Sequence, residues 1–177
     1  GYILGTDRQG RDVMAVMIAG IPLTLQIGLI AGLIGISVGT ILAFMAAYYG
    51  GWIDQVISTI VDVGLTIPGI LILIVIAVNL QSGLTVPQMG LAVSAVAWVW
   101  PARTIRSQVL VMREQLYVEI ARLSGTSGFS IMFKEMLPNL APYIGASLVG
   151  SVASAILASV GFCLLYTSDA ADDTDSV

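Results

Sequence analysis

Long stretches of this chain carry no charge at all. No Asp, Glu, Lys or Arg occurs between Asp12 and Asp54, between Asp62 and Arg103, or between Glu135 and Asp169. A helix needs ~20 largely apolar residues to cross a hydrocarbon layer ~30 Å thick. The pattern predicts four such helices, within 17–49 and over about 53–78, 88–105 and 140–162. Helices are expected because backbone in lipid must satisfy its own hydrogen bonds. The alternation of apolar and polar residues that marks membrane strands is missing. Pro68-Gly69 interrupts the second helix and predicts a kink there. Tyr48-Tyr49-Gly50-Gly51-Trp52 predicts a Gly-Gly turn within an aromatic interface belt.

Two runs of small residues sharpen the packing expectation. Gly28, Gly32, Gly35 and Gly39 fall on one stripe of the first helix, and Ala146, Gly150, Ser154 and Ala158 recur every fourth residue of the last. Such stripes let another helix approach closely, and helix packing is the reading preferred over any ligand role.

Composition agrees with a bilayer environment. Apolar residues make up 57% of the 177 and charged residues 10%, against ~25% charged in soluble domains. The chain has no His and a single Cys, Cys163. Multi-Cys and His-based metal sites, an internal disulfide and His acid–base chemistry are therefore excluded. The net charge of −4 resides in Asp169, Asp172, Asp173 and Asp175. That acidic composition predicts a disordered tail over 163–177.

Basic residues set the topology. Arg103, Arg106, Arg113, Arg122 and Lys134 are five of the seven, so segment 103–135 is expected on the cytoplasmic side and the polar segment 1–16 outside. Within 103–135, Leu116, Ile120 and Leu123 share a helical face. Arg113, Glu114, Glu119 and Arg122 take the water-facing side, with Glu119 and Arg122 spaced for an i,i+3 contact. Gly125 suits a left-handed helix stop, and Ser127 or Ser130 suits the cap of a second short helix over 131–136. Pro138 then falls at the start of the last span. The result is a helix–turn–helix across the inner membrane face, a plausible docking element for a protein partner.

Asp62 is an ionisable group inside an apolar span. It is read first as half of a structural ion pair with Arg103 or Arg106, and second as part of gating or substrate passage. Pro68 is read as a kink, and Trp52, Trp98 and Trp100 as interface anchors.

The stretch Tyr117-Val118-Glu119-Ile120-Ala121-Arg122-Leu123-Ser124-Gly125, followed by Leu137-Pro138-Asn139, resembles the "EAA" loop of ABC-importer permeases. Glu119, Ala121, Gly125, Leu137 and Pro138 fall on that pattern, and Ile120 stands where it has Ala. Leu4-Gly5-Thr6-Asp7 with Gly10-Arg11-Asp12-Val13 resembles the external segment of the dipeptide/oligopeptide/nickel branch. Tyr48-Tyr49-Gly50-Gly51-Trp52-Ile53-Asp54 and Ala155-Ile156-Leu157-Ala158 look like the same branch. The resemblance implies an all-α polytopic bundle with about four of the family's six transmembrane helices, a permease domain over 1–162. It implies a loop, including Leu116, Tyr117, Glu119, Ala121, Arg122, Gly125, Leu137 and Pro138, that docks on an ATPase. It also implies a second permease subunit, two cytoplasmic ATPase subunits that bind the ATP, a periplasmic or lipid-anchored binding protein, and residence in a bacterial cytoplasmic membrane. Contact with membrane lipid is expected, and with nucleic acid none. Cys163 to Asp173 in turn resembles the translation of a common transposase-based sequencing adapter, so 163–177 is expected to be a non-native tail.

The residues agree with such a division of labour. No G-x-x-x-x-G-K-[ST] occurs, so the chain is expected to hold no cofactor and to receive ATP energy through a contact. A secondary transporter or channel is the rival reading, but those place polar groups deep in their spans and few are here beyond Asp62. A membrane-embedded enzyme would need a nucleophile, metal or acid–base pair that these spans lack.

Overall fold

The computed structural model describes Gly5, Gly10 and residues 12–79 and 85–172, without the side chains of Val13, Ala77, Asn79 and 162–172. Most of the external N-terminal segment, residues 80–84 of the predicted loop and the last five residues lie outside the described part.

Helix α1 (Val13–Tyr49) starts where the Asp12 side chain accepts the Met14 N–H at 3.0 Å. The first helix thus takes the end of the segment predicted as an external loop. It stops at Gly50, whose N–H donates to the Ala46 carbonyl. Gly50 and Gly51 both hold left-handed φ values, +66° and +58°, so the turn suits residues without a Cβ.

Helices α2 (Gly51–Thr66) and α3 (Gly69–Asn79) meet at 81°. Ile67 is extended, with φ −81° and ψ 123°, as the ring of Pro68 requires of the residue before it. The predicted kink is therefore a full break. The third expected span is divided as well, into α4 (Val86–Ala97) and α5 (Val99–Arg113). Pro101 lacks the N–H that would bond the Ala97 carbonyl, and the helix steps aside at Trp98. Arg103 and Arg106 accordingly sit in a helix rather than in a loop.

Helix α6 (Leu116–Leu123) follows, then α7 (Gly128–Ile131), a π-helical turn (Met132–Met136) and α8 (Leu137–Asp172). These last three form one continuous rod. The Leu137 N–H donates to the Met132 carbonyl, five residues back. The wider turn makes room for Pro138, whose ring would strike the carbonyl four residues before it. No separate helix over 131–136 exists, and Pro138 lies inside the rod instead of at its start. The helix continues to Asp172, so residues 163–172 extend it where acidic composition predicted disorder.

Two rods, Met14–Tyr49 and Gly128–Gly161, are each long and apolar enough to cross a membrane, and α2 with α3 qualifies as a bent pair. Two long helices, a bent pair and the divided α4–α5 stand where four uniform helices were expected. Contacts fix their directions. Positions 35 and 39 of α1 meet Ala97 and Ala102, so α1 and α5 run parallel; positions 28 and 32 meet Ile156 and Val152, so α8 is antiparallel to α1.

The first glycine stripe makes these approaches possible. A Cβ on Gly39 would lie 2.9 Å from the Ala102 nitrogen and the Trp98 oxygen, and one on Gly35 3.0 Å from the Ala97 carbonyl. On Gly28 and Gly32 it would meet Ile156 and Val152 at 2.6 Å. Of the second stripe, only Ala158 packs against a core cluster among the described residues. Ala146, Gly150 and Ser154 are exposed, and a Cβ on Gly150 would meet nothing within 4 Å. The face of α8 that packs on α1 carries Val152 and Ile156, and Ala155 beside them is buried. Spacing alone could not distinguish the two stripes, because both keep small residues to one side of a helix.

Polar side chains inside the spans satisfy themselves locally. Thr24, Ser37, Thr40, Thr59 and Thr66 each donate to the carbonyl four residues back. Large apolar side chains such as Ile18, Ile21, Leu33, Val149 and Leu157 point outward, as lipid permits. Gly39→Ala should destabilise the bundle by about 1–3 kcal/mol, because the atoms in its way are backbone. Gly150→Ala should change stability by no more than about 0.5 kcal/mol. Thermal unfolding of the two variants in detergent checks this.

Candidate functional site

The Arg-rich end of the bundle is organised around α6. Val118 is 0% exposed and packs with Ile105, Val109, Ile131 and Met136. Tyr117, Ala121 and Leu137 close over the same cluster, which also takes Ala43, Phe44 and Ala47 from α1. One face of this two-turn helix is therefore fixed to α1, α5 and the last rod.

Its other face is open. Leu116, Ile120 and Leu123 are 69%, 54% and 83% exposed, although they form the apolar stripe predicted from spacing. Phe129 and Phe133 extend this apolar surface onto the start of the last rod, their ring centroids 4.6 Å apart. Glu119 is exposed and forms no ion pair among the described residues. The predicted Glu119–Arg122 contact is absent, because the Arg122 guanidinium lies over the Tyr48 ring at 5.1 Å instead.

The end of α6 is a Schellman turn. Gly125 has φ +77°, the Thr126 N–H donates to the Ala121 carbonyl at 3.1 Å, and the Gly125 N–H to that of Arg122 at 3.0 Å. Ser127 caps α7 by accepting the Ser130 N–H at 3.4 Å. A Cβ on Gly128 would sit 2.6 Å from the Tyr48 ring, so α1 and α7 touch there. Arg113 adds a second tie: its Nη1 donates to the Ala47 carbonyl at 2.9 Å, one of the otherwise unsatisfied acceptors at the end of α1. The Asn139 amide donates to the Glu135 carbonyl at 3.0 Å in the widened turn beside Pro138.

The structure thus brings Tyr117, Ala121 and Leu137 onto one cluster, sets Arg122 over the Tyr48 ring beside it, and leaves Leu116, Glu119, Gly125 and Pro138 outside it. Asp62 and Pro68 lie elsewhere, on α2 and at its break. Asp62 accepts from Arg103 at 3.1 Å, one of the two arginines expected within reach. Arg106 is committed to Asp54 through two contacts of 2.6 Å, and Ser58 also donates to Asp54. Sequence reasoning gave Val118 and Asp54 no role of their own, read Tyr48 only as part of an interface belt, and put Arg113 on the water-facing side, whereas it bonds Ala47. The spacing of Tyr117, Val118 and Ala121 was the available signal for a second, inward apolar face.

Exposed apolar rods around a small-residue stripe, with one basic end, define a polytopic helical membrane protein. Residues 35–171 match the family described as the binding-protein-dependent transport system inner membrane component, and the chain belongs to that family. It is 37% identical over 161 residues to the dipeptide transport system permease protein DppC of Alkalihalophilus pseudofirmus, covering 89% of this chain and 52% of that protein. With the glutathione transport system permease protein GsiD of Pectobacterium atrosepticum it shares 34% over 135 residues, 76% of this chain and 44% of the relative. With the oligopeptide transport system permease protein OppC of Mycobacterium bovis it shares 25% over 162 residues, 92% and 56% respectively. The chain spans about half the length of the curated relatives it matches.

Val118→Asp should release α6, since a carboxylate would enter a dry cluster at a cost of several kcal/mol. Leu123→Asp should leave the fold within about 0.5 kcal/mol of the original. Protease cleavage at 114–127 should rise sharply in the first variant and stay unchanged in the second.

Proposed function

We infer that this segment belongs to the permease subunit of an ATP-driven importer of peptides or similar small solutes. The single observation that carries the reading is the two-faced α6. Val118 and its neighbours fix one side, and Leu116, Ile120 and Leu123 present the other to a partner. A helix held this way can pass on a displacement, because packed cores move as units. The partner is an ATPase subunit in the cytoplasm, which binds and hydrolyses the nucleotide. The permease carries no cofactor and makes or breaks no covalent bond.

A second permease subunit completes the pathway, two ATPase subunits dock on the pair, and a binding protein delivers the solute on the far side of the bacterial cytoplasmic membrane. Peptide and glutathione transport in the relatives' names supports small peptides as the solute class. The continuous rod from Gly128 supports the mechanical part, since it joins the α6 turn directly to a crossing helix.

In the full-length permease assembled with its partners, Gly125→Asp should uncouple ATP hydrolysis from uptake while membrane insertion persists. The left-handed φ at this position is strained for any side chain, by about 1–2 kcal/mol, and the added charge faces the docking surface. Proteoliposome uptake measured against ATP turnover tests it, and normal uptake by the variant would count against α6 as the coupling element.

A further inference from the structure

Two ion pairs join α2 to α5, and they are built differently. Asp54–Arg106 is bidentate, its side chains are 23% and 29% exposed, and Ser58 adds a third hydrogen bond. This pair is saturated and structural. Asp62–Arg103 makes a single contact of 3.1 Å, from Nη1 to Oδ1. Among the described residues, the other Asp62 oxygen and the remaining Arg103 N–H groups have no partner. The side chains are 64% and 60% exposed, beside a hollow of about 130 Å³ lined also by Ser58 and Arg106.

The depth of this open pair matters. Arg113 and the Gly50-Gly51 turn mark one end of the bundle, where Arg113 bonds Ala47. Asp62 lies three turns above Gly51 and Arg103 nearly three above Arg113, roughly 15 Å in at ~1.5 Å per residue. Both therefore lie well inside their helices, Asp62 within the bent apolar pair that qualifies as a span. Exposed charges within a span are not stable against lipid and face a watery cavity or the bundle interior. The break above them points the same way. Leu65, Thr66, Ile67 and Pro68 are exposed, and among the described residues no backbone donor reaches the Gly64, Leu65 and Thr66 carbonyls. Non-helical backbone at membrane depth is tolerated only against protein or water.

Resting on the permease reading above, we propose that Asp62 and Arg103 line the water-filled translocation path and receive the charged ends of a passing peptide. The free carboxylate oxygen takes the peptide's ammonium group, and the free guanidinium N–H groups take its carboxylate, two hydrogen bonds at a time. The single internal contact opens to admit both ends and closes behind them. This pair therefore selects zwitterionic solutes, while Asp54–Arg106 holds α2 in place.

The test uses the full-length permease with its ATPase subunits, in a background free of other reactive thiols. Asp62→Cys and Arg103→Cys are treated with a membrane-impermeant, charged methanethiosulfonate. Both should react roughly tenfold faster than Ile41→Cys, which replaces an exposed residue of α1 at similar depth. A dipeptide with free termini should slow the reaction about threefold, and the same dipeptide acetylated and amidated should not. If Asp62→Cys fails to insert, Thr66→Cys, one turn along the same face, carries the measurement. Reaction no faster than at Ile41→Cys, or equal protection by both peptides, overturns the proposal in a complex that still hydrolyses ATP. A chain that binds no ATPase subunit overturns the permease reading, and this proposal with it.

Discussion

Where a methyl group on Gly39 would lie, the structure has the Ala102 nitrogen and the Trp98 oxygen, each 2.9 Å from that point. No side chain fits there. The close passage of α1 against α5, and against α8 at Gly28 and Gly32, is the constraint from which the rest of the bundle follows. In lipid there is no hydrophobic force to bring helices together, so tight van der Waals approach must supply the attachment. Helix α1 supplies it on two sides at once. Its position between α4–α5 and α8 brings both tightly against it.

That register has consequences at the basic end. Because α1 and α5 run parallel with Gly39 at Ala102, their ends come level, and Arg113 reaches the Ala47 carbonyl. Tyr48 then lies where it supports both Arg122 and Gly128. Val118 completes a cluster drawn from α1, α5, α6 and the last rod. Each contact is modest alone. Together they hold a helix of eight residues, too short to be stable by itself, in one orientation with Leu123 facing out.

Much of this was legible in the chain. Uncharged stretches predicted membrane helices, and the first glycine stripe predicted close packing that the structure contains. Gly125 predicted the helix stop through its freedom to take positive φ. What was not legible depends on partners far away in sequence. The stripe over Ala146, Gly150 and Ser154 also keeps small residues to one side of its helix, yet it is exposed, and a Cβ on Gly150 would meet nothing within 4 Å. Arg122 was paired by proximity with Glu119, but the Tyr48 ring offers a flat, less hydrated surface across the fold. The interruption at Pro68 was legible though not its size, and an apolar run concealed the break at Trp98, because hydropathy averages over the backbone donor missing at Pro101. Pro68 and Pro101 turn a simple reading of four rods into two rods and two broken helices.

Charge follows the same division between holding and exposing. Asp54–Arg106 is closed and Asp62–Arg103 open, just as the inward face of α6 is packed and its outward face bare. The most direct measurement concerns that outward face. A photo-crosslinking amino acid is placed at Leu123, and separately at Val118, of the full-length permease in native membranes. The expected result is an adduct between position 123 and the ATPase subunit, with position 118 giving only adducts within the permease. Adducts from position 123 to lipid alone, with the ATPase present and bound, would contradict the role given to α6.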